Sequence, residues 1–367
     1  MHLFDNPAFD DHEAVHHVFD KTSGLRAIIA IHSTALGPAA GGCRRWHYGS
    51  EAEALNDVLR LSRGMSYKNA LAGLPFGGGK CVVLCEPGET KSAEVFQALG
   101  AAVDSLGGRY ITGEDVGVST RDMAQVGTRT KFVSGLPHVN GAVGGDPSPW
   151  TALGVALGME AAARRKLGAG SLEGLRVAVQ GVGHVGFHLC RLLAERGARL
   201  VVSDLNADNL RRTVQQFGAR AVPPEAILFQ DVEILAPCAL GAVLNARTIP
   251  GLKCRVVAGS ANNQLETAPD AMRLHERGIL FAPDYVINSG GVICIAREYL
   301  GGCTRQRLAD EVHRIPQRLT AIFDESARTG RPASVVADEM AEMVLHSRSP
   351  ADSSSSVQSG GMLNSAA

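Results

Sequence analysis

Lys68 and Lys80 stand twelve residues apart, one inside GMSYKNA and the other closing GLPFGGGK, with a glycine-rich run between them. Glycines ending in a lysine can cradle a phosphate, but a Walker loop requires Gly, four residues, then Gly-Lys-Ser/Thr. Here Leu74 stands six positions before Lys80 and Cys81 follows it, so the pattern fails at both ends. The other chemistry open to such a lysine is proton transfer. An ordinary lysine is a poor base at neutral pH; burial and a second cation nearby both favour its neutral form. Taken alone, two exposed lysines beside a helix would be the ordinary reading of this pair.

A second constellation lies in RVAVQGVGHVGFHLCRLLAERGARLVVSD. Gly181, Gly183 and Gly186 give GxGxxG between a strand-like run and a helix-like one, and Asp204 ends the following strand-like run. In that context the first glycine permits a tight turn, the second lets backbone approach a pyrophosphate, and the third lets helix and strand pack closely. Gly181, Val182, Gly183, His184, Val185 and Gly186 are therefore expected to hold a dinucleotide at a helix N-terminus. Asp204 can accept from a ribose hydroxyl and would repel a 2′-phosphate, which favours NAD over NADP, although Arg211 and Arg212 follow closely. His184 is read as a solvent-facing imidazole rather than a catalytic one. Cys238 is not read as a nucleophile, since no histidine is positioned for it.

These residues need elements to hold them. RAIIAIHS (26–33), KCVVL (80–84), RYIT (109–112) and KFV (131–133) read as short strands. Ser50 with Glu53 reads as a capping box opening a helix whose face carries Leu55, Val58, Leu59 and Met65. HVNGAVGGDPSPW (138–150) is rich in glycine and proline and reads as a boundary. Beyond Thr151, strand-like runs include VEILAP (232–237), CRVVAGS (254–260) and ILFAPDY (279–285); separated by helical segments, they imply a parallel doubly wound sheet. Residues from about Arg305 to Leu345 read as helical, and the serine-rich stretch 351–367 as a disordered tail.

The 367 residues suffice for two domains. With 36 basic against 37 acidic residues, charge gives no argument for nucleic acid or an anionic membrane. No apolar run reaches membrane-spanning length, and the acidic N-terminus carries no signal-peptide pattern. The eight cysteines form no CxxC pair, so no metal is expected and free thiols in a reducing cytoplasm are.

The stretches LGPAAGGCR, RLSRGMSYKNALAGLPFGGGK, TGEDVG, VAVQGVGHVG, APCALGAVLN, GSANNQL and APDYVINSGGV resemble, in order, the leucine, phenylalanine and valine dehydrogenases, relatives of glutamate dehydrogenase. The resemblance covers about residues 25 to 345. It implies an α/β protein with an N-terminal substrate domain and a Rossmann-type NAD domain, with a cleft between them. Domain bounds of 1–140 and 141–324 follow, with a helical segment at about 325–350 returning to the first. The implied activity is NAD-dependent oxidative deamination of an apolar L-amino acid to its 2-oxo acid and ammonia, by a cytoplasmic homo-oligomer. Lys80 is then the base, Lys68 holds the substrate carboxylate and Asp115 assists proton transfer. An ionised Asp115 would pull against a neutral lysine, so it acts as proton partner or as orienter. Gly41, Gly42, Met65 and Asn262 are further implied substrate contacts, and Asn262 also faces the cofactor with Thr151, Cys238, Ala239, Ala261 and Asn288. On this reading the glycines before Lys80 let backbone approach a small substrate.

The family's side-chain pocket maps to Ala40, Gly113, Val292 and Ile295. Leucine enzymes usually carry leucine and alanine where this chain has Ala40 and Gly113, and Cys294 replaces an asparagine. Lost volume would admit a longer or aromatic side chain, since one methylene is worth only ~1–3 kcal/mol of discrimination. Leucine-type activity with breadth is expected first and phenylalanine second. A paralogue that binds NAD without catalysis is a distant third, opposed by the presence of Lys68, Lys80 and Asp115. A hydroxy-acid dehydrogenase would want a His/Arg pair instead.

Overall fold

Gly77, Gly78 and Gly79 do not form a loop: they are the first half of a central strand. The computed structural model describes residues 3–136, 145–239 and 241–347, so part of the boundary at 138–150 and the whole 351–367 tail fall outside the described residues. Contacts group the chain into two units, Met1–Pro137 with Ala341–Ala367, and His138–Met340.

The first unit contains β1 (Ala14–Asp20), β2 (Leu25–Ser33), β3 (Ala39–Ala40), β4 (Cys43–Trp46), α1 (Glu51–Ala72), β5 (Gly77–Leu84), α2 (Ala93–Ser105), β6 (Tyr110–Ile111) and α3 (Thr120–Gly127). The sheet runs β1-β2-β5-β3-β6, with β4 also on β5. β5 lies antiparallel to β2 and parallel to β3 and β4. Successive strand residues face opposite sides. Ile29, Ile31, Cys81 and Val83 therefore join Phe96, Leu99, Met123 and Val126 of α2 and α3, while Ile28, Ala30 and Val82 meet Ala54, Leu55, Val58 and Leu59 of α1. Lys80 and Arg44 share the parity of Val82, with which Arg44 is paired in register, and so lie on the α1 side.

α1 starts at Ser50, whose side chain accepts from the Glu53 N–H; the Glu53 carboxylate takes the N–H of Gly49 rather than that of Ser50, so only half of the capping box forms. It ends where Gly73 adopts φ 69°, a left-handed conformation that glycine reaches without steric penalty. The expected strand at 131–133 is reduced to one bridge between Thr112 and Val133.

The second unit contains α4 (Ser148–Leu167), β7 (Arg176–Gln180), α5 (His184–Glu195), β8 (Arg199–Ser203), α6 (Ala207–Phe217), β9 (Arg220–Ala221), β10 (Ile234–Pro237), β11 (Val256–Val257), α7 (Pro269–Glu276), β12 (Leu280–Phe281), α8 (Asp284–Ile287), α9 (Gly290–Leu300), α10 (Arg305–Val312) and α11 (Ile315–Thr329), with α12 (Ala333–Ser347) divided between this unit and the first after Met340. Its sheet, β12-β11-β10-β7-β8-β9, is parallel throughout, which is the doubly wound arrangement. α11 packs on α4 where Gly154 and Gly158 leave room for Ile315 and Leu319. That packing keeps the segment beyond 325 with the second unit as far as Met340, later than the sequence reading placed the return.

Candidate active site

The spacing of the two lysines follows from one contact between helix and strand. A Cβ on Gly78 would lie 2.1 Å from the backbone nitrogen of Ser66, so only glycine lets α1 rest on β5 there. Lys68 is two residues past Ser66 and Lys80 two residues past Gly78. Strand side chains repeat every second residue, so Lys80 projects from the face on which Gly78 meets the helix. Gly77 fits against the carbonyl of Ser33 and Gly79 against the Tyr110 ring. The glycines thus admit the protein's own helix and strands. Asn69, fully buried, fastens the same junction by donating to the carbonyl oxygen of Gly77 at 2.6 Å.

Lys80 is buried, with its Nζ 2.6 Å from Asp115 Oδ2. The same oxygen accepts from Arg44 Nε at 3.3 Å. Burial alone would push the Asp115 carboxyl up, but the Lys80 ammonium and the Arg44 guanidinium outweigh it and hold it down at about 2. Backbone crowds this pair closely. A Cβ on Gly42 would meet the carbonyl oxygen of Glu114 and the Asp115 Cβ, and one on Gly41 the carbonyl oxygen of Gly79 and the side chain of Met65. The first unit therefore gathers Met65, Lys68, Gly41, Gly42, Ala40, Lys80, Gly113 and Asp115 on α1, β5 and the segments flanking β3 and β6. At Gly113 the direction of a methyl is occupied by the Ser134 hydroxyl, 2.7 Å from the Cβ position and donating to the carbonyl of Thr112. The space left by the missing side chain at 113 is thus partly taken by Ser134.

In the second unit Gly181 takes φ 90° at the turn after β7, and a Cβ on Gly186 would lie 2.0 Å from the Gly181 carbonyl oxygen. Gly183 precedes α5 with no side-chain cap and open space where its Cβ would be. Val182 is buried, His184 is the exposed first residue of α5, and Val185 is half-buried. Asp204 follows β8; its Oδ2 accepts the N–H of Val182 and its Oδ1 that of Asn206, both at 2.7 Å. Uncapped amides, open space at Gly183 and a carboxylate with lone pairs to spare fit a dinucleotide.

Nearby, Asn288 Nδ2 donates to Asn262 Oδ1 at 2.7 Å and to the Ser260 carbonyl at 3.1 Å, while its own Oδ1 is buried without a partner. Thr151 lies in the first turn of α4, against which Gly290 and Gly291 of α9 pack. Cys238 and Ala239 follow β10, where Ala239 meets Gly181, and Ala261 is buried. Val292 and Ile295, three residues apart on α9, are both half-buried, whereas Cys294 faces inward, its thiol pushed by burial up to about 12. The eight cysteines are free thiols, and the described residues hold no group of metal-binding side chains and no helix long and apolar enough to cross a membrane.

Sequence reasoning missed Arg44, Asp57, Tyr48, Ser66, Asn69 and Ser134. Arg44 stood in LGPAAGGCR, two residues past Gly42, and a cation so near a suspected proton-transfer site was the available signal.

Residues 12–132 match the pattern of the Glu/Leu/Phe/Val dehydrogenase dimerisation domain. Residues 146–208 and 203–344 match that of glutamate/leucine/phenylalanine/valine dehydrogenase. The chain is 50% identical over 342 residues to a leucine dehydrogenase of Thermoactinomyces intermedius, covering 93% of each. It is 42% identical over 343 residues to a phenylalanine dehydrogenase of Bacillus thermotolerans, covering 92% of this chain and 89% of that one. The crystal structure of L-tryptophan dehydrogenase from Nostoc punctiforme is similar with a TM-score of 0.79 at 42% identity, covering 92% of this chain and 96% of that one.

Proposed function

The chain belongs to the glutamate/leucine/phenylalanine/valine dehydrogenase family and is an amino acid dehydrogenase, and we propose that it oxidatively deaminates leucine and related apolar L-amino acids with NAD. The observation that carries this reading is the buried Lys80–Asp115 pair at 2.6 Å, set among glycine backbone beside the helix that carries Lys68. A bound nicotinamide dinucleotide supplies the hydride acceptor for the substrate Cα, and the Gly181–Gly186 turn with Asp204 would hold it. Lys68 pairs with the α-carboxylate through a charge-assisted contact and fixes the substrate's orientation. Lys80 removes a proton from the water that attacks the resulting imino acid, and the carbinolamine collapses to the 2-oxo acid and ammonia. Asp115 keeps the Lys80 nitrogen in place.

Identity to a leucine dehydrogenase supports the branched-chain substrate. An aromatic substrate is the second reading, favoured by the small side chain of Ala40 and by the phenylalanine and tryptophan enzymes among the relatives. The match to a dimerisation domain supports a homo-oligomer, and the eight scattered cysteines support a cytoplasmic location. The test is a panel of L-amino acids assayed for NADH formation, with Lys80→Ala and Lys68→Ala beside the parent. Leucine and its apolar neighbours should lead. Lys80→Ala should lose kcat by ~10²–10⁴ with a smaller change in KM, and Lys68→Ala should raise KM. Near-normal turnover by Lys80→Ala would remove lysine as the base.

A further inference from the structure

Arg44 shares with Lys80 one oxygen of Asp115. Asp115 Oδ2 receives both Lys80 Nζ, at 2.6 Å, and Arg44 Nε, at 3.3 Å. Arg44 Nη1 reaches Asp57 Oδ2 at 3.0 Å, and that oxygen also accepts from the Tyr48 hydroxyl at 2.7 Å. The result is a row of alternating charge, Lys80, Asp115, Arg44 and Asp57, ending on a phenol and drawn from β5, the segment after β6, β4, α1 and the turn before α1. The four charged side chains are 7%, 20%, 21% and 27% exposed, so solvent screens them weakly.

We propose that Arg44 is a positioning residue that fixes Asp115 and shares its charge, so that Lys80 is not locked in a closed ion pair and can exchange a proton during turnover. A carboxylate paired with lysine alone, out of water, would hold the lysine charged and idle. A guanidinium never gives up its proton near neutral pH, so Arg44 is a permanent counter-charge, and its fork can serve two carboxylates at once. Asp57, in turn, holds part of the Arg44 charge away from Asp115.

Three groups packed around the row, one thiol and two phenols, stay protonated through the acidic range. The Cys43 thiol is raised well up by its hydrogen bond with Cys81 and by burial, and the Tyr110 phenol well up by burial. The Tyr48 phenol is raised by burial and by its bond to Asp57.

The inference rests on Lys80 as the base, and kcat/KM profiles against pH for four variants separate the two ideas. Arg44→Gln should move the acidic limb upward by about one pH unit, the size of a neighbouring-charge effect. Arg44→Lys should restore part of that shift. Asp57→Asn should move the limb the opposite way, which a loss of folding cannot imitate, and this variant carries the test if Arg44→Gln fails to fold. Limbs that stay put, or that move the same way in Arg44→Gln and Asp57→Asn, overturn the proposal. If Lys80→Ala is inactive while those limbs stay put, only the role of Arg44 falls; if Lys80→Ala turns over normally, the base assignment itself falls.

Discussion

Asp115 is where burial and charge oppose each other most plainly. Burial pushes its carboxyl up; Lys80 and Arg44 together pull it from the ordinary 3.8 to about 2. A group depressed in the folded state stabilises it fully above the unfolded value and loses that contribution as pH falls through the folded one. Asp115 should therefore contribute ~2–3 kcal/mol at pH 5, lost between about pH 4 and pH 2. Urea unfolding of the parent and of Asp115→Asn over that range should show their stabilities converging as pH falls. A gap that does not change with pH would mean that Asp115 is not an ionised partner of Lys80. The pair itself could be guessed from residue types, because Lys80 and Asp115 stand in recognisable motifs. Their geometry could not, since thirty-four residues, with α2 and β6 among them, lie between the two and only the sheet brings them together.

At the scale of elements, the junction of α1 with β5 sets the site. Gly78→Ala would place a methyl 2.1 Å from the Ser66 nitrogen and 2.5 Å from its Cα. Backbone cannot yield as a flexible side chain would, so α1 must shift and carry Lys68 with it. A loss of ~1–3 kcal/mol in urea titrations and a clear fall in kcat/KM are expected. Gly64, on the same helix, has open space at its Cβ, so Gly64→Ala should be neutral or stabilise by ~0.5–1 kcal/mol with activity intact. Equal effects of the two would show that the junction is not tight. α1 is also tied at its middle by His12. Its Nδ1 accepts the Asp10 N–H, and its Nε2 lies 3.1 Å from the Leu59 carbonyl oxygen and 3.0 Å from Ser62 Oγ. Burial and the neighbouring His32 hold its ring down at about 4. An imidazole that resists protonation when folded costs stability on acidification, as the unfolded chain takes up the proton first. The parent should therefore lose stability from about pH 6.5 to pH 4 more steeply than His12→Phe in chemical denaturation; parallel curves would refute it. Among these elements α1 was readable, because its apolar face repeats at helical spacing. β5 was read too short, as Gly77 to Gly79 have poor strand propensity that packing overrides. RYIT, CRVVAGS and ILFAPDY marked β6, β11 and β12 but overran them, because each is two residues long with ends set by its neighbours; β3, equally short, was not read.

Across the whole molecule the two units differ in how far sequence exposes them. The second has an all-parallel sheet, and its βαβ rhythm and glycine turn were legible because Gly181 and Gly186 answer local steric demands and Asp204 follows at the expected distance. The first has a mixed sheet whose order depends on pairings distant in sequence, so its topology was not. The point at which the chain rejoins the first unit was also hidden: α11 stays with α4 because Gly154 and Gly158, distant in sequence, leave room for Ile315 and Leu319. The proposed preference for NAD rests on a single carboxylate. Asp204 already accepts one backbone N–H on each oxygen, from Val182 and Asn206, and so stands rigidly at the glycine turn with lone pairs left for a ribose diol. A 2′-phosphate there would meet its negative charge. The parent should accordingly show a higher kcat/KM with NAD than with NADP. Asp204→Asn keeps an oxygen able to accept from the turn but removes the charge, so it should gain activity with NADP while keeping much of that with NAD. Asp204→Ala removes both roles, so its NAD activity should also fall, by ~10–100-fold for a lost charge-assisted contact. If the parent uses both dinucleotides equally, or if Asp204→Asn leaves their ratio unchanged, the charge of Asp204 does not select the cofactor, and its carboxylate serves only to brace the turn.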